Sequence, residues 1–245
     1  MPLTPHDPSL LQPRQPCESA MAWWVLLFGG LLGTSGCTTP QSPGQLLRET
    51  FSNGTEQWRT TDPQSWRLTA LEGNPAFELH GDSKSYQPPV RSPHSMALYE
   101  GSSFQSFELH ARVRTTHEAY DHRDLCFIFG YQDPSHFYYV HLGQKTDPHA
   151  NQVFIVNGAP RRKISTKTSR GTPWQEDTWH QVKIVRCVSS GNISVFFDDM
   201  TTATMTAQDT TFGRGLIGIG SFDDTGIWDD ITVTPLVETS GPNEG

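Results

Sequence analysis

Between Trp179 and Pro235 apolar residues recur at every second position. Val182 and Ile184 alternate with polar neighbours, and so do Ile193, Val195 and Phe197 beyond a Ser189-Ser190-Gly191-Asn192 turn. A period of two places successive side chains on opposite faces, so these runs predict an antiparallel hairpin with one buried face. Gly215-Leu-Ile-Gly-Ile-Gly220 predicts a covered strand whose glycines leave room for a bulge or a close neighbour. The same alternation marks Phe104 to Thr115, with Phe107, Leu109, Ala111 and Val113 on one side and Glu108, His110, Arg112 and Arg114 on the other. Leu125 to Tyr131 is apolar on both faces and reads as a central strand. His136 to Leu142 places Tyr138, Val140 and Leu142 on one face and Tyr139 and His141 on the other.

About a dozen such strands, separated by polar turns and accompanied by no convincing helix, predict an all-β, two-sheet antiparallel sandwich. Aromatic content of 11% in a chain of 35% hydrophobic residues suits a sandwich better than a helix bundle. The formal net charge of −8 argues against nucleic acid as a partner. One basic run, Arg161-Arg162-Lys163, reads as a solvated loop, with contact to an anionic ligand as the alternative.

The cassette running from Trp179 through Ile193-Ser-Val195 and Asp198-Asp199 to Gly218-Ile-Gly220-Ser-Phe-Asp-Asp-Thr-Gly226 and Trp228-Asp-Asp-Ile231 resembles the closing strands of concanavalin A-like (laminin G-like) jelly rolls. Within that superfamily it is most similar to the bacterial 3-keto-disaccharide hydrolase domain group and its family 16-like glycoside hydrolase neighbours. The likeness spans Phe51 to Pro235. It implies a jelly-roll sandwich whose opening strand, around Leu47 to Gly54, pairs with the closing one. It also implies a carbohydrate-binding groove and a structural calcium ion between the first and last strands. Asp229 and Asp230 are the candidate ligands for that ion; Asp223-Asp224 and Asp229-Asp230 are otherwise a turn and the end of a bulged strand.

Ahead of the sandwich, Met21 to Leu32 is apolar and followed by Gly33-Thr-Ser-Gly-Cys37. A dozen apolar residues match the core of a signal peptide rather than a membrane span. Small residues ending in Cys resemble a bacterial lipobox, in which Cys37 is lipidated; secretion without lipid is the alternative, and the start is Met1 or Met21. The organisation expected is a signal segment (1–36), a linker (37–46), the sandwich (47–236) and a short tail (237–245). The implied location is the bacterial cell envelope, with membrane contact through the lipid alone. Cys126 and Cys187 remain within predicted strands, as separate buried thiols or as a pair.

Chemistry is sought in the sandwich's polar strip. If the strands bearing His110/Arg112 and Tyr139/His141 are neighbours, these four residues line one groove, with Gln144, His149 and Asn151 at its edge. Such a set can hydrogen-bond sugar hydroxyls and stack on sugar faces. Solvent-facing strand residues without function are the plain alternative. The paired-carboxylate strand of family 16 enzymes, E-x-D-x-(x)-E, is absent. Two enzymatic routes remain. One uses His141 as base, Tyr139 as acid and Arg112 as charge clamp in a 3-keto-glycoside cleavage or elimination. The other relies on a divalent metal as electrophile. The reading is a carbohydrate-binding domain, with such an enzyme or a laminin G-like protein-binding domain as alternatives.

Overall fold

The computed structural model describes residues 47–236, with backbone also at Cys37–Thr38 and Val237–Glu238. The signal segment, the Cys37 side chain, the linker and the end of the tail lie outside the described residues, together with the expectations placed on them. In chain order the strands are β1 (Cys37–Thr38), β2 (Leu47–Glu49), β3 (Trp58–Thr60), β4 (Trp66–Leu71), β5 (Asn74–Leu79), β6 (Ser95–Phe104), β7 (Phe107–Thr115), β8 (Asp124–Asp133) and β9 (His136–Gly143). They continue as β10 (Gln152–Asn157), β11 (Arg162–Lys163), β12 (Ser165–Thr168), β13 (His180–Arg186), β14 (Asn192–Phe197), β15 (Met205–Gln208), β16 (Gly215–Ser221), β17 (Gly226–Pro235) and β18 (Val237–Glu238). Among the described residues the one helical element is a single 3-10 turn, Pro63–Ser65.

Two antiparallel sheets stack face to face. The seven-stranded sheet has the order β11-β10-β9-β8-β16-β6-β3. The nine-stranded sheet runs β12-β15-β14-β13-β7-β17-β5-β4, with β2 also paired to β17. The hairpin expected at residues 182–197 is β13 against β14, with Val182 opposite Phe197. The opening strand β2 pairs with the closing strand β17, Ile231 opposite Glu49. A bulge lies in β17 between Asp229 and Thr232, and Asp230 sits there at φ 48°. A short polar side chain tolerates that left-handed backbone better than a branched one would.

The period of two explains the core. On β7 burial alternates residue by residue: Leu109, Ala111 and Val113 point between the sheets, while His110 and Arg112 point outward. From the other sheet Leu125, Phe127, Phe129, Tyr138, Val140 and Leu142 meet them. Trp228, fully buried, packs against Trp66 in a tilted arrangement at 5.6 Å between ring centroids. The glycines of β16 are there for close approach: a Cβ on Gly218 would stand 2.7 Å from the Ala97 carbonyl oxygen of β6.

The seven-stranded sheet is buried on its outer face as well. Met96, Leu98, Cys126, Ile128, Tyr139 and Phe154 form a second apolar cluster there, with Leu216 of β16 beside them and Tyr86, Val90 and Phe222 packed over it. Tyr86 and Val90 come from the long β5–β6 connection, so β8 is apolar on both faces because both are covered. Cys126 in this layer is a free, fully buried thiol, whereas Cys187 is disulfide-bonded; the two do not pair.

Candidate functional site

At one end of this roofed face the cover opens into a pocket of about 740 Å³, within the range of about 300–1,000 Å³ usual for small-ligand sites. Its floor is the start of β8 and the end of β9. Strand alternation turns Asp124 and Cys126 outward, and Cys126 lies directly opposite His141. The walls include Tyr120, His122, His149, Arg161, Phe222 and Asp223.

The floor is a hydrogen-bonded cluster removed from water. The Asn151 backbone N–H donates to Nδ1 of His141 at 3.3 Å. Nδ1 is therefore the bare nitrogen of the ring, and Nε2 carries the proton. Nε2 lies 3.5 Å from Oδ2 of Asp124. Burial, helped by the positive charge of Arg161, lowers the His141 pKa to about 3. Burial, then the nearby Asp224 carboxylate, holds the Asp124 carboxyl well above the usual range. Both shifts favour the uncharged forms of the pair. The Cys126 thiol donates to Oδ2 of Asp124 at 3.3 Å and is pushed up by burial and by Asp124. Asp224 accepts from the Asp124 backbone N–H at 2.6 Å and from the Tyr120 hydroxyl at 2.8 Å.

Arg161 forms part of one wall. Its guanidinium carbon stands 4.2 Å from the Phe222 ring centroid and 5.0 Å from that of Phe154. One terminal nitrogen donates to the Tyr139 hydroxyl at 3.1 Å, the other to the His149 carbonyl at 3.0 Å.

Two groups of metal-ligating side chains gather here. Asp124, Cys126 and His141 bring their ligand atoms within 4.8 Å of one another, and so do Asp124, Asp223 and Asp224. In the first, the Cys126 thiol donates to Asp124 and His141 Nε2 lies beside it, so a cation there would have to displace those protons. In the second, both Asp224 oxygens already accept hydrogen bonds. The calcium ligands expected from the sequence, Asp229 and Asp230, lie elsewhere, on the nine-stranded sheet, and do not fit an ion. Asp230 binds the Arg112 guanidinium at 3.2 Å, and Asp229 accepts the Asp230 backbone N–H at 2.7 Å. A cation of the protein's own stands where calcium was expected.

The expected groove is corrected in the same way. His110 and Arg112 lie on β7 of the nine-stranded sheet, Tyr139 and His141 on β9 of the seven-stranded one. Both pairs point outward, so they face opposite sides of the sandwich, and Arg112 cannot clamp charge at His141. Tyr139 is fully buried, beneath the pocket rather than in it. Of the remaining candidates, His141 and His149 line the pocket. Gln144 is a tie: it accepts from Nε of buried Arg123 at 2.9 Å. Asn151 is another. It is fully buried at φ 53°, donates to Thr146 at 2.6 Å and accepts from Thr172 at 3.0 Å. The sequence reading missed Asp124, Tyr120 and Phe222 as site residues. Asp124 immediately precedes an apolar strand, and that adjacency was the available signal.

No family model and no curated protein matches the chain. Solved structures do. The carbohydrate-binding module CBM66 from Bacillus subtilis superposes with a TM-score of 0.52 at 14% identity, over 73% of this chain and 95% of that one. Domain 4 of AbnA, an extracellular arabinanase from Geobacillus stearothermophilus, solved in complex with arabinotriose, gives 0.50 at 11% identity, over 80% and 94%. The exoplasmic/lumenal domain of VIP36 in its Ca2+/Man3GlcNAc-bound form gives 0.51 at 13% identity, over 80% and 90%. The fold is a concanavalin A-like jelly roll. At these identities the likeness establishes architecture, and function has to be argued from the site.

Proposed function

We propose that this chain is a carbohydrate-binding domain whose site is the pocket over the ends of β8 and β9. The carrying observation is the pocket's make-up: aromatic rings at Tyr120 and Phe222 beside hydrogen-bonding groups at His122, His149 and Arg161, over a floor of buried Asp124 and His141. Rings take the apolar face of a sugar and the polar groups take its hydroxyls. Saccharide-bound forms among the similar structures support the same reading.

Binding is favoured over catalysis by the geometry of the three residues an enzyme would have used. Arg112 is on the other sheet, Tyr139 is buried, and His141, with a pKa of about 3, is a weak base at neutral pH. The domain is further proposed to work outside the cytoplasm, on a bacterial envelope and held by lipid at Cys37 or secreted. The leader-like segment supports that placement, and the disulfide at Cys187, a bond favoured in oxidising compartments, supports a location outside the cytoplasm without bearing on the lipid.

The test is a glycan array probed with the full chain, beside Tyr120→Ala, Phe222→Ala and Arg112→Ala. Binding should fall at least about tenfold in the first two and hold in the third. Binding lost only with Arg112→Ala would move the site to the opposite sheet. Capture of no glycan at all would end the carbohydrate reading.

A further inference from the structure

Arg161 lines the pocket with its guanidinium held by uncharged partners. Arg59, Arg67, Arg112, Arg114 and Arg123 each face a carboxylate. Arg161 faces none within 4.0 Å among the described residues, and neither does Arg91. The fixed partners of Arg161 are all uncharged: two aromatic rings, a phenol and a backbone carbonyl. These fix the plane of the guanidinium and engage two of its five N–H donors without neutralising it. The Arg161 backbone N–H donates to the Arg91 carbonyl at 3.1 Å, which brings both arginines to the same wall of the pocket.

The pocket's carboxyl groups do not cancel this charge. Asp124 is buried, which favours its uncharged form, and its ion-pair neighbour is His141 rather than Arg161. Asp147 accepts the His149 backbone N–H at 2.6 Å and lies 3.7 Å from Nδ1 of His122. Asp223 is exposed and makes no ion pair with either arginine. A guanidinium oriented by stacking, with donors to spare, matches a planar oxyanion better than it matches hydroxyls, because charge-assisted bonds are roughly twice as strong and the fork fits two oxygens.

We infer that the sugar this pocket takes is acidic, a uronic acid whose carboxylate is held by Arg161 with Arg91 beside it. The inference rests on the carbohydrate reading above and narrows it to a ligand class. The recognising atoms are the terminal nitrogens of Arg161, since Nε is buried against the neighbouring rings. An uncharged floor at Asp124 and His141 lets the carboxylate enter without repulsion from below, although the chain as a whole is acidic.

Titration calorimetry on the full chain would use oligogalacturonate and oligoglucuronate, each beside its carboxyl-reduced neutral twin, and a sulfated oligosaccharide. At least one uronate should bind about tenfold or more tightly than its twin, as loss of one hydrogen bond to a charged group implies. Arg161→Gln should erase that preference, Arg161→Lys should keep part of it, and Arg91→Gln should reduce it. The Arg91 variant also carries the test if Arg161→Gln proves misfolded by near-UV circular dichroism. Equal binding of acid and reduced twin would overturn the acid assignment while leaving the carbohydrate reading in place. Preference for the sulfated sugar would overturn the carboxylate in favour of a sulfate ester. Failure of every sugar, neutral ones included, would count against the carbohydrate reading itself.

Discussion

Folding shifts Asp124 and His141 in opposite directions on the pH scale. Burial raises the pKa of Asp124 and lowers that of His141 to about 3, so the folded pair favours a proton on the carboxyl. Unfolded, with ordinary values of about 3.9 and 6.5, the proton sits on the histidine. The two contributions to the pH dependence of stability therefore oppose each other, and each single variant exposes the other. The His141 pKa is depressed, so the unfolded chain binds more protons at this group between pH 3 and 6.5, and its contribution to stability rises with pH there. The Asp124 pKa is raised, so its contribution is complete below about pH 3.9 and is lost as pH climbs through the folded value. One proton of difference gives a slope of about 1.4 kcal/mol per pH unit. Asp124→Asn should raise the slope of unfolding free energy against pH, relative to wild type, by up to that amount between pH 4 and 6. His141→Gln should lower it by a similar amount. Titratable groups remote from Asp124 and His141 are common to all three proteins and drop out of the comparison. Urea unfolding at half-unit pH steps measures the slopes. Unchanged slopes in both variants would mean a charged carboxylate–imidazolium pair in the fold. They would also refute the reading of Nδ1 as an acceptor, since an imidazolium has no bare nitrogen to take the Asn151 N–H.

Other perturbations test the frame around the site. Arg186 is buried and donates to the carbonyls of Gly191, Asp209 and Phe212 at 2.7, 2.9 and 3.1 Å. Arg186→Met strips those acceptors together and should cost at least about 3 kcal/mol in denaturant unfolding; a loss under about 1 kcal/mol would show that the carbonyls find other donors. Asn151→Ala should cost about 3 kcal/mol, from its lost bonds and from a left-handed backbone that alanine tolerates poorly. It should also loosen the pocket edge, read as faster hydrogen exchange over 144–151. Arg112→Ala should change stability by less than about 1 kcal/mol, because its ion pair with Asp230 is at the surface; a larger loss in a thermal melt would assign the pair a structural role at the β17 bulge.

Alternation told the sequence reader which residues share a face of one strand, and that information survived intact. Tyr138, Val140 and Leu142 do enter the core between the sheets, and Tyr139 and His141 do share the other face. What alternation cannot carry is which strands lie in which sheet. His110 and Arg112 look like natural companions of His141 in the sequence because β7 and β9 are separated by one strand. In the fold β7 is bonded to β13 and β17, more than sixty residues downstream, while β8 and β9 join β16. The pairings that would have separated them are long-range, and nothing local to either strand encodes the choice. The bulge and the crowded glycines of β16 were legible because a local residue type answers a local need. Asn151 and Gln144 misled for the opposite reason: amides serve a ligand or a loop equally well, and here they tie Thr146, Thr172 and Arg123.

The roof over the seven-stranded sheet explains why the site has the chemistry it has. A sheet with one face in water would leave Asp124 and His141 charged, each near its ordinary pKa. Covering that face with Tyr86, Val90 and Phe222 takes both groups out of water, and the favourable state becomes the one with no charge on either. The same roof ends at Phe222, whose ring covers the half-buried Arg161 guanidinium, and that cation keeps its charge because arginine does not release its proton. A neutral floor under a fixed cation is therefore one consequence of a single act of burial, and selectivity for an acidic sugar is what that arrangement would deliver. If Phe222→Ala leaves uronate preference intact while weakening all sugars equally, stacking and charge recognition are separate; if the preference falls with it, the ring is what aims the guanidinium.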